Sequence, residues 1–347
     1  MLPNLLRITP RRTTKSDEEQ DQQEDPEDVF ASALGAIFTD DLRNQHGDPG
    51  CLITYLSRRL DRGVELGVAD PRGEAERTKF AHYLWNAGVL MGELCGGRPG
   101  AEGEEAVGEA EAAEAAVDGG GGRRGGEGGR REKEKEKELA GVEWRLDGGE
   151  KEWWVDEGEE GCWRVEGERV LELGAGVGLA GIVSTLVGAE EVVISDYPAP
   201  EILENIEQNV KRNVPEKLRS KVSVQGHLWG DVDSAFAVAN AGGFSRILAA
   251  DCLWMPHEHR SLAKSMVHFL SPDPRARVFV IAGFHTGRAM MAPFFVTVVE
   301  EGLEIDDIYE MDAEARRREW ASERDGGRED HGERNKWLVV ARLKRKQ

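Results

Sequence analysis

The chain has 347 residues, with 66 Asp and Glu against 45 Lys and Arg and a formal net charge of −21. That balance argues against a phosphate-backbone partner, which needs clustered basic residues, so no direct nucleic-acid binding is expected. The four cysteines (Cys51, Cys95, Cys162, Cys252) are scattered with no C-x-x-C pair, which implies no disulfide framework and no zinc site and fits reduced thiols in a cytoplasmic protein.

In chain order, residues 16–28 are mostly Asp, Glu and Gln with no large apolar residue, and residues 1–28 are expected to form a disordered tail. Phe30, Leu34, Ile37 and Phe38 recur at helical spacing, and Leu52, Ile53, Tyr55 and Leu56 form a second apolar cluster. A stronger helix is predicted over 74–96, with Phe80, Leu84, Ala87, Met91 and Leu94 on one face and Gly96-Gly97 ending it. Residues 29–96 are thus predicted as an N-terminal helical region whose last helix docks on the rest of the chain. Trp85, at the margin of that apolar face, reads on pattern alone as a core aromatic. Residues 97–138 collapse into Gly, Ala, Glu and Arg, including GGGGRRGGEGG and REKEKEKE, and are expected to be a disordered low-complexity insertion.

Residues 139–347 form the remaining domain. Trp144, Trp153, Trp154 and Trp163 sit in short runs that suggest a small edge hairpin. Residues 170–196, VLELGAGVGLAGIVSTLVGAEEVVISD, read as strand, glycine turn, helix, strand, acid. Beyond them a helix is predicted over 202–210, strands over 221–225 and 246–250, a helix over 262–270, a strand over 277–282, a helix over 294–299, and strands over 303–311 and 336–343. The last two flank a charged loop containing ARRREW and ERDGGRED. The alternation predicts an α/β fold, a Rossmann-like seven-stranded sheet that is mostly parallel, with an antiparallel edge strand and helices on both faces. No stretch is long and apolar enough to span a membrane.

The glycine turn carries the chemistry. Gly174, Gly176 and Gly178 let the backbone turn sharply and approach a ligand, and Asp196, about twenty residues beyond the turn, is placed to grip a ribose. An adenosine-containing cofactor follows. The dinucleotide fingerprint would place Gly or Ala at 179, where the chain has Leu179, whereas E-x-G-x-G-x-G fits from Glu172 onward. An acidic turn suits the sulfonium and ammonium of S-adenosylmethionine and repels a pyrophosphate. The remaining strand ends offer Asp196 with Tyr197, then His227 to Gly230 with Trp229 as a platform for adenine, then Ala250, Asp251 and Trp254, and finally the loop GFHTGR with Phe284 and His285. Trp254 and Phe284 are candidates for an acceptor pocket that stabilises cations through ring faces. His285 is placed equally well for a catalytic role or a plain loop hydrogen bond. His257 and His259, two residues apart in PHEH, point different ways and lack a third ligand at fitting spacing, so no metal is expected.

Together HYLWNAG, VLELGAGVGLAG, ISDYP, HLWG, AADCLW and GFHTGR resemble the fungal family 16 class I methyltransferases, the nicotinamide N-methyltransferase-like group, over about residues 75–96 and 165–345. That group includes the enzyme modifying the N-terminus and a lysine of translation elongation factor 1-alpha. The resemblance implies that residues 139–347 are the S-adenosylmethionine-binding catalytic domain. It further implies that Trp85 packs beside the cofactor, that Gly174, Ala175 and Gly176 pass under it, and that Asp196 holds the ribose. Trp229 would meet the adenine, and Ala250 with Asp251 would flank the methionine end. Related protein-lysine methyltransferases often carry an acid followed three residues later by Tyr after the fourth strand, and here the pair is Asp251 and Trp254. The implied activity is N-methylation of an amine, a protein lysine or N-terminal amine such as that of elongation factor 1-alpha, by a monomer. Nicotinamide is the small-molecule alternative acceptor. A nicotinamide-dinucleotide oxidoreductase and a non-catalytic cofactor-binding protein are the readings from other classes.

Overall fold

The computed structural model describes residues 2–9, 45–47, 51–57, 59–69, 83–98 and 153–346. The N-terminal part contributes strands β1 (Leu6–Thr9), β2 (Gln45–His46), β3 (Leu52–Tyr55), β4 (Val64–Gly67) and β5 (Leu84–Trp85), then helix α1 (Asn86–Gly96). Residues 153–346 contribute α2 (Glu157–Trp163), β6 (Arg169–Leu173), α3 (Leu179–Leu186), β7 (Glu191–Asp196), α4 (Pro200–Asn213), β8 (Val222–Gly226), α5 (Ala235–Ala239) and β9 (Arg246–Ala250). They continue with α6 (His259–Phe269), β10 (Arg277–Gly283), α7 (Arg288–Met291), α8 (Pro293–Glu300), β11 (Leu303–Asp312), β12 (Arg317–Glu319), α9 (His331–Asn335) and β13 (Trp337–Arg345).

The main sheet has eight strands in the order β12-β11-β13-β10-β9-β6-β7-β8. Strands β6 to β10 pair in parallel, and β13 is antiparallel to both β10 and β11. Seven long strands therefore match the expectation, and the three-residue β12 is added at the edge. The edge strand β12 is antiparallel to its neighbour β11, and the long antiparallel strand β13 lies two places inside the edge, between β11 and β10. Leu338 to Ala341 of β13 are all buried, whereas Ile305 and Asp306 of β11 are exposed, so the more apolar strand takes the position paired along its length on both sides.

Both faces of the sheet are covered. Val170 of β6 packs with Leu179, Ile182 and Leu90 on one face; its neighbours Leu171 and Leu173 pack with Leu262, Phe269 and Phe294 on the other. This is the two-residue period of a strand read by two separate helix layers. Among the described residues, no helix is long and apolar enough to cross a membrane.

Several local expectations change. Residues 2–9, assigned to the disordered tail, form a 3-10 turn and β1, with Leu2 and Leu5 buried and β1 paired to β3. The described N-terminal residues are largely strands rather than helices, and the helix suggested over 30–38 lies outside the described residues, as does almost all of the 97–138 insertion. The helix over 74–96 begins at Asn86. Leu84 and Trp85 before it are extended and pair with β2, and the bond between His46 Nε2 and Asn86 Oδ1 (2.7 Å) fixes that entry. Gly97, at φ +80°, ends the helix as expected. Trp163 lies on α2, not in a hairpin: Asp156 caps the helix by accepting from Glu159 N, and acids at 157, 159 and 160 suit the positive end of the helix.

Glu93 of α1 ties three segments together. It is 2% exposed, accepts from the Tyr55 hydroxyl of β3, and accepts from Trp154 Nε1 at 3.0 Å. Removing the carboxylate strands two buried donors. Glu93→Ala is expected to lower the unfolding free energy by about 2–5 kcal/mol in urea titration, whereas a loss below about 0.5 kcal/mol would show that water replaces it freely.

Candidate active site

The site lies beyond the carboxyl ends of β6 and β9, where the chain order of the sheet reverses. Gly174 and Gly176 both have positive φ (+65° and +58°). At Gly174 the need for glycine is double, because a Cβ there would lie 2.8 Å from Cys252 Sγ and 2.9 Å from Trp229 Cζ2. Asp196, at the end of β7, holds the turn: Oδ2 accepts from Gly176 N (2.7 Å) and Oδ1 from Tyr197 N (2.6 Å). Glu172 reaches the start of α3, where Oε2 accepts from Gly181 N at 2.8 Å. Burial pushes the Glu172 carboxyl up to about 8 and that of Asp196 up to about 6, against the lowering effect of these backbone donors.

Between this turn, the β8 and β9 ends and the entry to α1 lies a cavity of about 350 Å³. Of the residues expected at the site, Trp85, Glu172, Gly174, Ala175, Gly176, Asp196, Tyr197, Trp229, Ala250, Asp251 and Trp254 all line it. Gly178 does not: as the left-handed N-cap of α3 it faces Ile206 and Ile194, so it shapes the turn from behind. Phe284 does not either, being fully buried against Trp320 and Arg288. His285 stands behind the wall, its ring stacked on Trp85 at 4.6 Å and 17°. Leu228, named at the β8 end, lines the cavity as well, and so do Tyr83, Met255, His257 and Glu258, which were not expected to be part of its wall. The signal for these was their position in or beside HYLWNAG and AADCLW, because wall membership is set by how the loops fold back. The two histidines of PHEH diverge: His257 is at the cavity, and buried His259 bonds Leu253 O at 2.9 Å.

Asp251 is the most constrained acid. Its φ is +57°, a left-handed conformation that Asp tolerates better than most residues. Its backbone N donates to Ile281 O (2.8 Å), and its Oδ1 accepts from Gly283 N (3.1 Å) and lies 3.8 Å from His285 Nδ1. Burial raises its pKa, with the neighbouring His285 and the Gly283 N–H acting the other way. The carboxylate is thus fixed at the cavity wall with its second oxygen uncommitted to these partners.

Among the described residues, the lining contains Glu172, Asp196, Asp251 and Glu258 but no Lys or Arg. A ligand carrying positive charge meets four carboxyl groups and aromatic faces there, which a pyrophosphate would find repulsive. The cavity therefore suits S-adenosylmethionine better than the dinucleotide of an oxidoreductase.

The sheet is of the Rossmann-like kind found in S-adenosylmethionine-dependent methyltransferases, and the cavity opens at its switch point. Residues 134–301 match the family 16 methyltransferase model, described as lysine methyltransferase, the same family that the motifs resemble. A protein N-terminal and lysine N-methyltransferase of Schizosaccharomyces pombe is 37% identical over 150 residues, 41% of this chain and 58% of that protein. The protein N-lysine methyltransferase METTL21A of Danio rerio is 35% identical over 106 residues, 30% of this chain and 46% of that protein. The chain thus spans about half the length of the curated relatives it matches. Among solved structures, the ribosomal protein L11 methylase of Lactobacillus delbrueckii subsp. bulgaricus is 19% identical with a TM-score of 0.34, covering 52% of this chain and 71% of that one.

Two predictions follow from the acids. Because the folded-state pKa of Glu172 is raised to about 8, the fold binds its proton more tightly than the unfolded chain does. That stabilisation is full below the ordinary glutamate value of 4.5 and is lost as pH rises through about 8. Thermal unfolding from pH 5 to 8.5 should therefore show the unmodified protein losing stability relative to Glu172→Gln as pH rises; parallel curves would place an ionised Glu172 in the fold. Asp196 is buried and holds the turn, so Asp196→Asn tests the ribose contact with less disturbance than alanine. It is expected to weaken S-adenosylhomocysteine binding about tenfold by calorimetry, and unchanged affinity would place the ribose elsewhere.

Proposed function

We propose that this chain is an S-adenosylmethionine-dependent N-methyltransferase that acts on protein amines, a lysine side chain or an N-terminal amine. The observation that carries the reading is Asp251: a buried acid, fixed by backbone contacts on both sides, at a cavity wall it shares with Trp85 and Trp254. The match to a family described as lysine methyltransferase, and relatives named for protein N-terminal and lysine methylation, support the same acceptor class. We further propose residues 139–347 with α1 as the catalytic unit, and cytoplasmic translation elongation factor 1-alpha as the acceptor to test first, following the family resemblance.

When bound, S-adenosylmethionine supplies a methyl group activated by the attached sulfonium. The protein must align an amine with it and keep water out. A lysine (ordinary pKa about 10.4) or an α-amino group (about 8) arrives protonated, and its nitrogen has no lone pair until that proton leaves. Asp251 receives the ammonium as an ion pair and accepts its proton, a task that the burial-raised pKa suits. His285 Nδ1 lies 3.8 Å from the Asp251 carboxylate, and the His285 ring supports the Trp85 face by stacking. Trp254 stands where related enzymes carry Tyr, so it offers a ring face and no hydroxyl. A nicotinamide nitrogen already has its lone pair and gives Asp251 no task, which disfavours the small-molecule alternative.

Asp251→Asn is expected to lower methyl transfer to elongation factor 1-alpha by about 10²–10⁴-fold, as read by labelled-methyl incorporation and peptide mass spectrometry. Label appearing only in the small-molecule fraction of a cell lysate would overturn the protein-acceptor reading.

A further inference from the structure

Helix α4 carries asparagines at 205, 209 and 213, one every turn on the side facing β4. Asn209 and Asn213 are buried, at 0% and 4% exposure, where long apolar side chains would ordinarily be expected. Their amides serve the open edge of β4. Gly67 N donates to Asn209 Oδ1 (2.7 Å), and Gly67 O accepts from Asn205 Nδ2 and Asn209 Nδ2 (3.0 Å each). One step along, Glu65 N donates to Asn213 Oδ1 (2.8 Å) and Glu65 O accepts from Asn213 Nδ2 (2.7 Å). The side chains thus take the place of a neighbouring strand, satisfying the backbone groups of β4 that face away from β3. Gly67 has no Cβ for a matching reason: one would stand 3.3 Å and 3.4 Å from the Asn205 and Asn209 amide oxygens.

Asn209 does one thing more. Its Nδ2 also donates to Val177 O at 3.0 Å, and Val177 belongs to the glycine turn and lines the cofactor cavity. A single buried amide therefore joins the edge of the N-terminal sheet to the cofactor turn. Asp196 holds the same turn from the other side through Gly176 N.

We propose that Asn209 is a positioning residue through which docking of the N-terminal sheet on α4 sets the shape of the turn, and thereby the affinity for S-adenosylmethionine. The idea rests on the cofactor reading of the cavity. It gives the β1-β3-β4 sheet a role in cofactor binding although none of its residues lines the cavity. Asn213 is the internal control, since it clamps the same strand and makes no contact with the turn among its bonds to Glu65 and Asn209.

The test measures S-adenosylhomocysteine binding by calorimetry, with limited proteolysis of the N-terminal sheet in parallel, on the full chain and on Asn209→Ala, Asn213→Ala and Gly67→Ala. Asn209→Ala is expected to raise the dissociation constant about five- to tenfold and to raise the cofactor KM with little change in kcat. Gly67→Ala, remote from the cavity, should shift affinity in the same direction by prising β4 from the asparagines. Asn213→Ala, which leaves Gly67 clamped by Asn205 and Asn209, should leave affinity within about twofold. If the unmodified protein binds and the Asn209 and Gly67 variants bind equally well, the coupling is wrong. Failure of the unmodified protein to bind would instead refute the cofactor reading. Should Asn209→Ala not fold, the Gly67→Ala result decides by itself.

Discussion

The carboxylate of Asp196 is the contact on which the site depends. It sits at the end of β7 yet bonds the backbone of Gly176 across the strand end, so the acid that would meet a ribose also sets the turn that passes under it. Three glycines with positive φ make such a turn possible, but glycine gains freedom in the unfolded chain as well, so the folded turn needs outside support. Asp196 supplies it on one side, Glu172 fixes the start of α3, and Asn209 holds the Val177 carbonyl. Binding and architecture use the same atoms.

Gathering buried acids around a cavity whose described lining has no Lys or Arg is electrostatically unfavourable by itself. Burial moves Glu172 and Asp196 toward their neutral forms and raises Asp251 as well. A cationic ligand reverses that preference, because its charge favours the ionised carboxylates. The electrostatic cost of the acidic wall thereby favours a sulfonium and an ammonium over a phosphate.

The charged segment between β11 and β13 belongs to the same logic of supported loops. Arg288, just past His285, is 5% exposed and is met by Glu310 (2.6 Å) and Glu329 (2.9 Å); Arg318 and Arg324 complete the surroundings of fully buried Glu310. Arg288 also lies 4.0 Å over the Phe284 ring, and Arg334 Nε donates to Phe284 O (3.1 Å). A stretch that looks like a solvated loop in one dimension thus anchors the loop that carries His285. Such paired charges do little for net stability when buried, but they fix geometry, since any displaced partner is left uncompensated.

The sequence by itself determined the sheet, the turn and most of the cavity wall. Those signals are local: near-continuous apolar strands, glycines at fixed spacing, and an acid at a strand's end have the same meaning wherever the helices pack. Residues 246–250 were read as the strand that is observed for this reason. Only the tertiary structure could decide the rest, because it turns on contacts between residues far apart in the chain. Trp163 belongs to a helix because Asp156 caps it, and Leu2 and Leu5 leave the expected tail because β3 offers β1 an edge. Gly178 faces Ile206 rather than a ligand, and His285 reaches the site by stacking on a tryptophan 200 residues earlier, a pairing that no local pattern encodes.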